Sequence, residues 1–213
     1  MLTVDPHPLL DLQAFHTQWP APLGEISTPA WMHALVDATA ETPFSTPDEP
    51  HKKTVRDLLR WGGFKPAGRS KPCWEYIRAV AAKDAFPWIN VAVDATNLAV
   101  LHSALPISTV DVDHLTDPLR VGIAAADSRY IFNTAGQEIT LSGLLCLFDA
   151  KGPCANAVKD SQRAKTDAAT TRTLTLVWGT RGLPGRAAAA RDWQMALHER
   201  LGGTTTAARI AAD

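Results

Sequence analysis

Residues 91–112 read VAVDATNLAVLHSALPISTVDV. The first thirteen are apolar nearly all the way round a helical turn, which predicts a helix over 91–103 that is buried on most sides. Pro106 closes that pattern, and Ser108–Val112 then alternates as a strand does. Two polar residues interrupt the helix, Asp94 and Asn97, three apart and so on one face. Buried without partners, each would cost roughly a few kcal/mol, so each has partners or lines a pocket.

Upstream, the chain reads as helices. Ser27-Thr28-Pro29 is a helix start, and a helix is expected over 29–39. Pro43, Pro47 and Pro50 mark a loop. Val55, Leu58 and Leu59 give 52–61 one apolar face, stopped by Gly62-Gly63. A basic segment, 65–71, precedes a helix over 72–83 with Trp74, Ile77, Val80 and Ala81 inward. The first 20 residues, broken by Pro6, Pro8 and Pro20, read as an edge strand or extended arm.

Downstream, the chain reads as strands: 119–124, 129–132, 144–148 and, with less clean alternation, 174–178. A helix over 186–201 ends at Gly202-Gly203, and 204–213 reads as a frayed tail. Helices first, strands later and a helix last make an α+β protein. The expected organisation is an N-terminal arm and helix over 1–54, a central domain over 55–180, and a C-terminal helix and tail over 181–213. Together these form one structural unit.

Bulk properties narrow the function. Hydrophobic residues are 46% and charged residues 20% of the 213, the balance of a soluble globular protein. No apolar run reaches the roughly 20 residues a membrane span needs, and the N-terminus lacks a secretory pattern. Three cysteines without a CxxC pattern predict neither disulfides nor zinc, and fit a cytoplasmic protein. The seven histidines show no metal-ligand spacing, so no metal or other cofactor is expected. A net charge of −1 argues against strong non-specific nucleic-acid binding, leaving room for a local basic patch.

The stretch 60–113 carries a family likeness in three words: FPWIN at 86–90, VDATNLAVL at 93–101 and LPISTVDVD at 105–113. Two later stretches add to it, LLCLFDAKGP at 144–153 and KDSQRAKTDAATT at 159–171. Over residues 55–180 the sequence resembles the B3/B4 domain of the bacterial phenylalanyl-tRNA synthetase beta subunit, in free-standing form. The resemblance implies a mixed β-sandwich core with surrounding helices. It implies binding of the aminoacylated 3′ end of tRNA and hydrolysis of a wrongly attached amino acid in trans, without aminoacylation. The expected partner is tRNA, with no DNA and no membrane, and the expected state is a monomer or small homo-oligomer.

Hydrolysis of an aminoacyl ester needs a positioned water, a holder for the α-amine and donors for the developing oxyanion. Asn97 matches the asparagine of the family's V-D-x-x-N helix. It either holds the amine or terminal ribose, or satisfies buried backbone ends with Asp94. Asp160 and Ser161 are the further catalytic candidates, the carboxylate for an amine and the hydroxyl for water; the alternative is an Asx-type turn. Substrate-binding candidates are Ser108, Arg163, Thr170 and Thr171. Ser108 stands where the family has a histidine and cannot act as a general base at neutral pH. Arg163 falls near the family's tyrosine-recognising glutamate and would suit an acidic group instead. Arg60, Lys65, Arg69 and Lys71 are the candidate tRNA-phosphate contacts, against the reading of a solvated charged face. Asp111 reads as a cap. These departures keep open a non-catalytic module binding RNA, an amino acid or a protein. A small-molecule hydrolase on the same fold also stays open.

Overall fold

The computed structural model describes residues 1–37 and 39–212. In chain order it contains β1 (Leu2–Val4), β2 (Leu10–Gln18), α1 (Ala30–Ala34), α2 (Glu49–Arg60) and α3 (Cys73–Ala81). Next come α4 (Val91–Ser103), β3 (Ile107–Asp111), β4 (Leu119–Ile123), β5 (Arg129–Ile131) and β6 (Glu138–Thr140). The chain ends with β7 (Leu145–Asp149), β8 (Gly152–Asn156), β9 (Arg172–Thr180), α5 (Arg186–Arg200), β10 (Thr204–Ala207) and β11 (Ile210–Ala212). The fold is α+β. Ala38, inside the helix expected over 29–39, and Asp213, in the expected tail, lie outside the described residues.

The helix over 91–103 forms as read. Asn90 caps it, its side chain accepting from Val93 N at 3.1 Å, and Ala104 ends it in the left-handed region at φ 51°. Helix α2 begins three residues earlier than expected because the Asp48 carboxylate accepts from His51 N at 2.8 Å and Pro50 fits its first turn.

A four-stranded antiparallel sheet runs β10-β2-β9-β3, and a mixed sheet runs β11-β1-β4-β7-β8. They stack as a sandwich. Leu10, Val110, Leu174, Leu176 and Trp178 of the first meet Leu2, Val121, Leu145 and Leu147 of the second. The opposite face of the four-stranded sheet carries helices: Ile107 and Val177 pack with Trp74 and Ile77 of α3, Leu98 and Ala99 of α4, and Ala190 and Leu197 of α5. A short β5-β6 hairpin stands apart.

Two readings of the chain ends are corrected. The first 20 residues are not an edge or arm, because β1 lies between β11 and β4, and β2 lies between β10 and β9. Residues 204–212 are not a frayed tail: Thr204–Ala207 pairs with Phe15–Gln18, and Ile210–Ala212 with Leu2–Val4. Strands from 1–54, 55–180 and 181–213 therefore share the four-stranded sheet.

Between that sheet and the helices runs a buried polar chain. His198 Nδ1 meets Thr17 Oγ1 at 2.8 Å, and its Nε2 lies 3.4 Å from Gln194 Nε2. Gln194 Nε2 donates to Thr96 Oγ1 at 2.9 Å, and Thr96, Thr109 and Thr175 follow at 2.6 and 3.0 Å. These hydroxyls let polar β9 residues face a helix layer without losing hydrogen bonds. His198 is fully enclosed, and burial pushes its pKa down from 6.5 to about 3.

Below pH 6.5 the unfolded chain takes up a proton at this imidazole that the folded chain refuses until about pH 3. The folded-state pKa is depressed, so stability is lost as pH falls through that window, at about 1.4 kcal/mol per pH unit for this one group. His7, His16, His51 and His102 are also lowered by burial and act in the same direction. Urea unfolding of the wild type and His198→Gln from about pH 7 to pH 5 isolates the term. The variant is expected to show a pH slope shallower by about one proton, whatever its absolute stability. Identical slopes would mean that His198 is not buried neutral.

Candidate functional site

Strand β3 alternates its side chains across the sheet. Thr109 points to α4, and Ser108 points the other way, into the sandwich. There Ser108 Oγ accepts from Trp178 Nε1 at 2.9 Å and lies 2.7 Å from Asp160 Oδ1 and 3.1 Å from Asn156 O. With one proton to give, the hydroxyl donates to the ionised carboxylate. Asp160 arrives on the loop after β8, and its Oδ1 also accepts from Asn156 N at 3.0 Å. Asn156 shapes this loop: its Oδ1 accepts from Val158 N and Lys159 N at 2.8 and 2.9 Å, and its Nδ2 donates to the Tyr130 hydroxyl.

Burial pushes the Asp160 carboxyl up from 3.8 to about 6, although Ser108, the Asn156 amide and Lys165 each favour its ionised form. At neutral pH it is mostly ionised, and a pKa about one unit below neutral lets it both take up a proton and give it back. That is the condition a general base of ester hydrolysis needs.

Cations gather on this side of the molecule, and the Lys165 charge acts on the carboxyl itself. Cys73 N donates to Ala157 O at 3.1 Å, tying the segment before α3 to the Asp160 loop. The Lys159 pKa is lowered, first by burial and then by the charges of Arg69 and Lys165, so these three cations share one neighbourhood. Lys159 Nζ sits 4.1 Å from the centre of the Phe132 ring, and Lys165 Nζ donates to Phe132 O at 2.6 Å. Lys65 and Lys71 are exposed on the same segment as Arg69. Tyr76, 61% exposed, lies one helical turn beyond Cys73.

The sequence-named candidates thus divide. Asp160 and Ser108 are bonded, Ser161 follows Asp160 in the chain, and Arg69 lies near Lys159 beside them; Lys65 and Lys71 are exposed on the segment of Arg69. Asn97 is apart from them. It lies on α4, across the four-stranded sheet from Ser108, where its Nδ2 donates to Pro87 O at 3.2 Å. Its neighbour Asp94 is fully satisfied by Thr28 Oγ1 at 2.6 Å and Ile89 N at 2.7 Å. Ser108 is wholly enclosed, so it positions Asp160 and does not touch a substrate. Ser161 is buried, and its hydroxyl makes no hydrogen bond among the described residues.

Arg163 is corrected from a ligand-binding arginine to a latch. Its guanidinium grips Asp149 with two bonds of 2.8 and 2.7 Å and donates to Gly152 O at 3.0 Å. Burial opposes ionisation of Asp149, but Arg163 prevails and its pKa is lowered. Thr170 is likewise occupied: its Oγ1 donates to Asp111 Oδ2 at 2.5 Å and accepts from Asp167 N at 2.9 Å. Asp111 accepts also from Asp113 N, as the cap it was read to be. Thr171 enters by its carbonyl alone, which accepts from Trp19 N and Gln18 Nε2. Arg60 is exposed and paired with Asp57 at 2.8 Å. Burial pushes the Cys73 thiol up to about 12, which leaves it unreactive.

Three clefts, of about 720, 400 and 320 Å3, lie elsewhere; none is lined by Asn97, Ser108, Asp160 or Ser161. Asp160 itself is half-buried, and Ser108 beneath it is enclosed. Among the described residues no cluster of three His, Cys, Asp or Glu side chains is arranged to hold a metal, and no helix is long and apolar enough to cross a membrane.

Several members of this site escaped the sequence reading. Tyr76 was findable, since Trp74, Ile77, Val80 and Ala81 leave it on the outer face of α3. Asn156 carried a local signal, an asparagine two residues before the amide it caps. Tyr130 and Trp178 carried none, because their contacts join segments far apart in sequence: Trp178 reaches Ser108 from the neighbouring strand of the same sheet, and Tyr130 of the β5-β6 hairpin meets Asn156 of β8.

No family model matches the sequence, and no curated protein matches it. Among solved structures the chain is similar to an N-terminal fragment of the phenylalanyl-tRNA synthetase beta-subunit from Pyrococcus horikoshii, with a TM-score of 0.53 at 11% identity. The match covers 100% of this chain and 52% of that one, so the chain spans about half the length of that fragment. At this identity the likeness is one of fold.

Asp160 also carries a stability signature. Its folded-state pKa is raised, so the ionised form costs stability as pH rises from 3.8 through about 6. An asparagine can still accept from Ser108 and the Asn156 amide. Asp160→Asn is expected to be as stable as the wild type or more so, by up to about 1–3 kcal/mol at pH 7, with the difference vanishing near pH 4. Thermal unfolding at the two pH values checks this, and a large loss at pH 7 would make the carboxylate structural.

Proposed function

We propose that this chain holds the 3′ end of a tRNA against the rim of Arg69, Lys159 and Lys165. In this reading Asp160 is the general base that hydrolyses an amino acid wrongly esterified to that end. The observation that carries it is the nearness of a poised carboxylate to cations that make no ion pair among the described residues, on a chain whose net charge is only −1. Likeness of fold to a synthetase fragment supports tRNA as the nucleic acid.

The steps need no metal. Phosphates of the single-stranded end neutralise the rim, and a terminal base stacks on the exposed Tyr76 ring. Asp160 takes a proton from water as the oxygen attacks the ester carbonyl. The Ser161 hydroxyl, next in the chain to Asp160 and without a hydrogen bond among the described residues, donates to the oxyanion. On collapse, the ester bond breaks and Asp160 returns the proton to the ribose oxygen. The products are a free amino acid and an intact tRNA end.

One observation favours a second reading, in which the site binds without hydrolysis. Asp160 Oδ1 already takes two donors, and the family's histidine position is an enclosed serine. Both restrict the approach of water.

A panel of mischarged tRNAs separates the two. Hydrolysis of at least one pair above the spontaneous rate, falling about 100-fold or more in Asp160→Asn, is the expected result. Loss in Asn97→Ala instead would move the chemistry across the sheet and end the assignment to Asp160. Binding is tested by salt dependence: replacing Arg69, Lys159 and Lys165 with alanine is expected to flatten the log–log salt slope by about 2. An unchanged slope would remove the rim from the tRNA contact. Turnover absent but slope intact establishes the binding module.

A further inference from the structure

The cleft of about 720 Å3 lies on the helical side of the molecule, between residues 36–37 and 40–47 on one side and helices α3 and α4 on the other. Its roof is pinned at both ends. His102 Nε2 holds Leu35 O at 2.6 Å, and Arg186 Nη2 holds Ser45 O at 2.9 Å while its Nε donates to Ser103 O at 2.6 Å. The Arg186 guanidinium also lies 5.5 Å from the Phe44 ring centre. The space is thus framed from two helices, and its volume is that of an ordinary small-molecule site.

The lining carries charges of both signs. The side chain of Arg78, half-buried on α3, makes no hydrogen bond or ion pair among the described residues. Arg186 lies close enough for the two positive charges to act on each other, and it is bonded only to carbonyls and a hydroxyl, never to a carboxylate. Such a pair of guanidinium groups lacks a counter-anion. Asp37, Glu41 and Asp84 line the same cleft, and no ion pair joins any of them to Arg78. Val36, Phe44 and Leu101 supply apolar surface.

We propose that this cleft binds a small zwitterion of the α-amino-acid type with an apolar side chain. Arg78 takes the carboxylate, the acidic lining takes the ammonium, and the apolar residues cover the side chain. A plain anion would meet the three carboxylates, and a plain amine would meet Arg78; one molecule bearing both charges suits both signs of the lining. The site is separate from the Asp160 rim and does not depend on its function.

Calorimetric titration of the full chain with leucine, leucine amide and isocaproate tests the assignment. Leucine is expected to bind saturably, with the amide and the des-amino acid each about tenfold weaker or more, since each lacks one charge-assisted contact. Arg78→Met is expected to weaken leucine by about the same factor, leave the amide unchanged and keep the unfolding temperature, because Arg78 holds nothing else. Should that variant unfold, Glu41→Gln in the exposed loop gives the matching test, weakening leucine but not isocaproate. No saturable leucine binding at millimolar concentration overturns the proposal. So does isocaproate binding as tightly as leucine, or equal leucine affinity in Arg78→Met and wild type.

Discussion

The rest of the structure depends on β9 being covered on both faces. From Thr173 to Thr180 every residue is buried. Leu174, Leu176 and Trp178 face the second sheet, and Thr173, Thr175 and Val177 face the helices. A strand in that position sets the order of the layers, the seats of β2 and β3 beside it, and the sides on which α4 and α5 pack. Burying its leucines contributes about 1.5–3 kcal/mol each, while its threonines are tolerable only because hydroxyl partners are supplied.

That arrangement explains what could be read in the sequence. Helix α4 was legible because burial on all sides leaves an unmistakable apolar run, and its boundaries lie in the local caps Asn90 and Ala104. The α+β order was legible for the same local reason. Strand β9 was half legible, 174–178 against the observed 172–180, because two-sided burial erases alternation and its threonines read as surface. At the N-terminal end a strand was legible but its interior position was not, and the strands at the C-terminal end were illegible. Thr204–Ala207 is polar in composition and becomes a strand only by pairing with β2, at the far end of the chain. Long-range pairing of that kind leaves no local periodicity.

The candidate site was legible in its pieces and not in its assembly. The 65–71 cations and the Asp160 loop stood out separately; the Cys73–Ala157 bond that unites them did not. Asn97 drew attention because polar residues in a buried helix demand partners, and its partner proved to be the Pro87 carbonyl. Arg163 drew attention because it falls near the family's tyrosine-recognising glutamate, and its charge is spent on Asp149, whose side chain has no exposure of its own.

The account turns on one carboxyl. Asp160 is enclosed enough that ionisation costs stability, and Ser108, itself locked by the Trp178 indole, keeps it ionisable near neutral pH. The structure accepts this unfavourable charge beside a basic rim, which is where a reacting ester would need it. Titration of the Asp160 side-chain carbon by NMR, in the wild type and in Ser108→Ala, measures this directly. The account predicts an inflection near pH 6 in the wild type, moved higher when the Ser108 donor is removed. An inflection at the ordinary carboxylate value of about 4, unmoved by the serine, would contradict it.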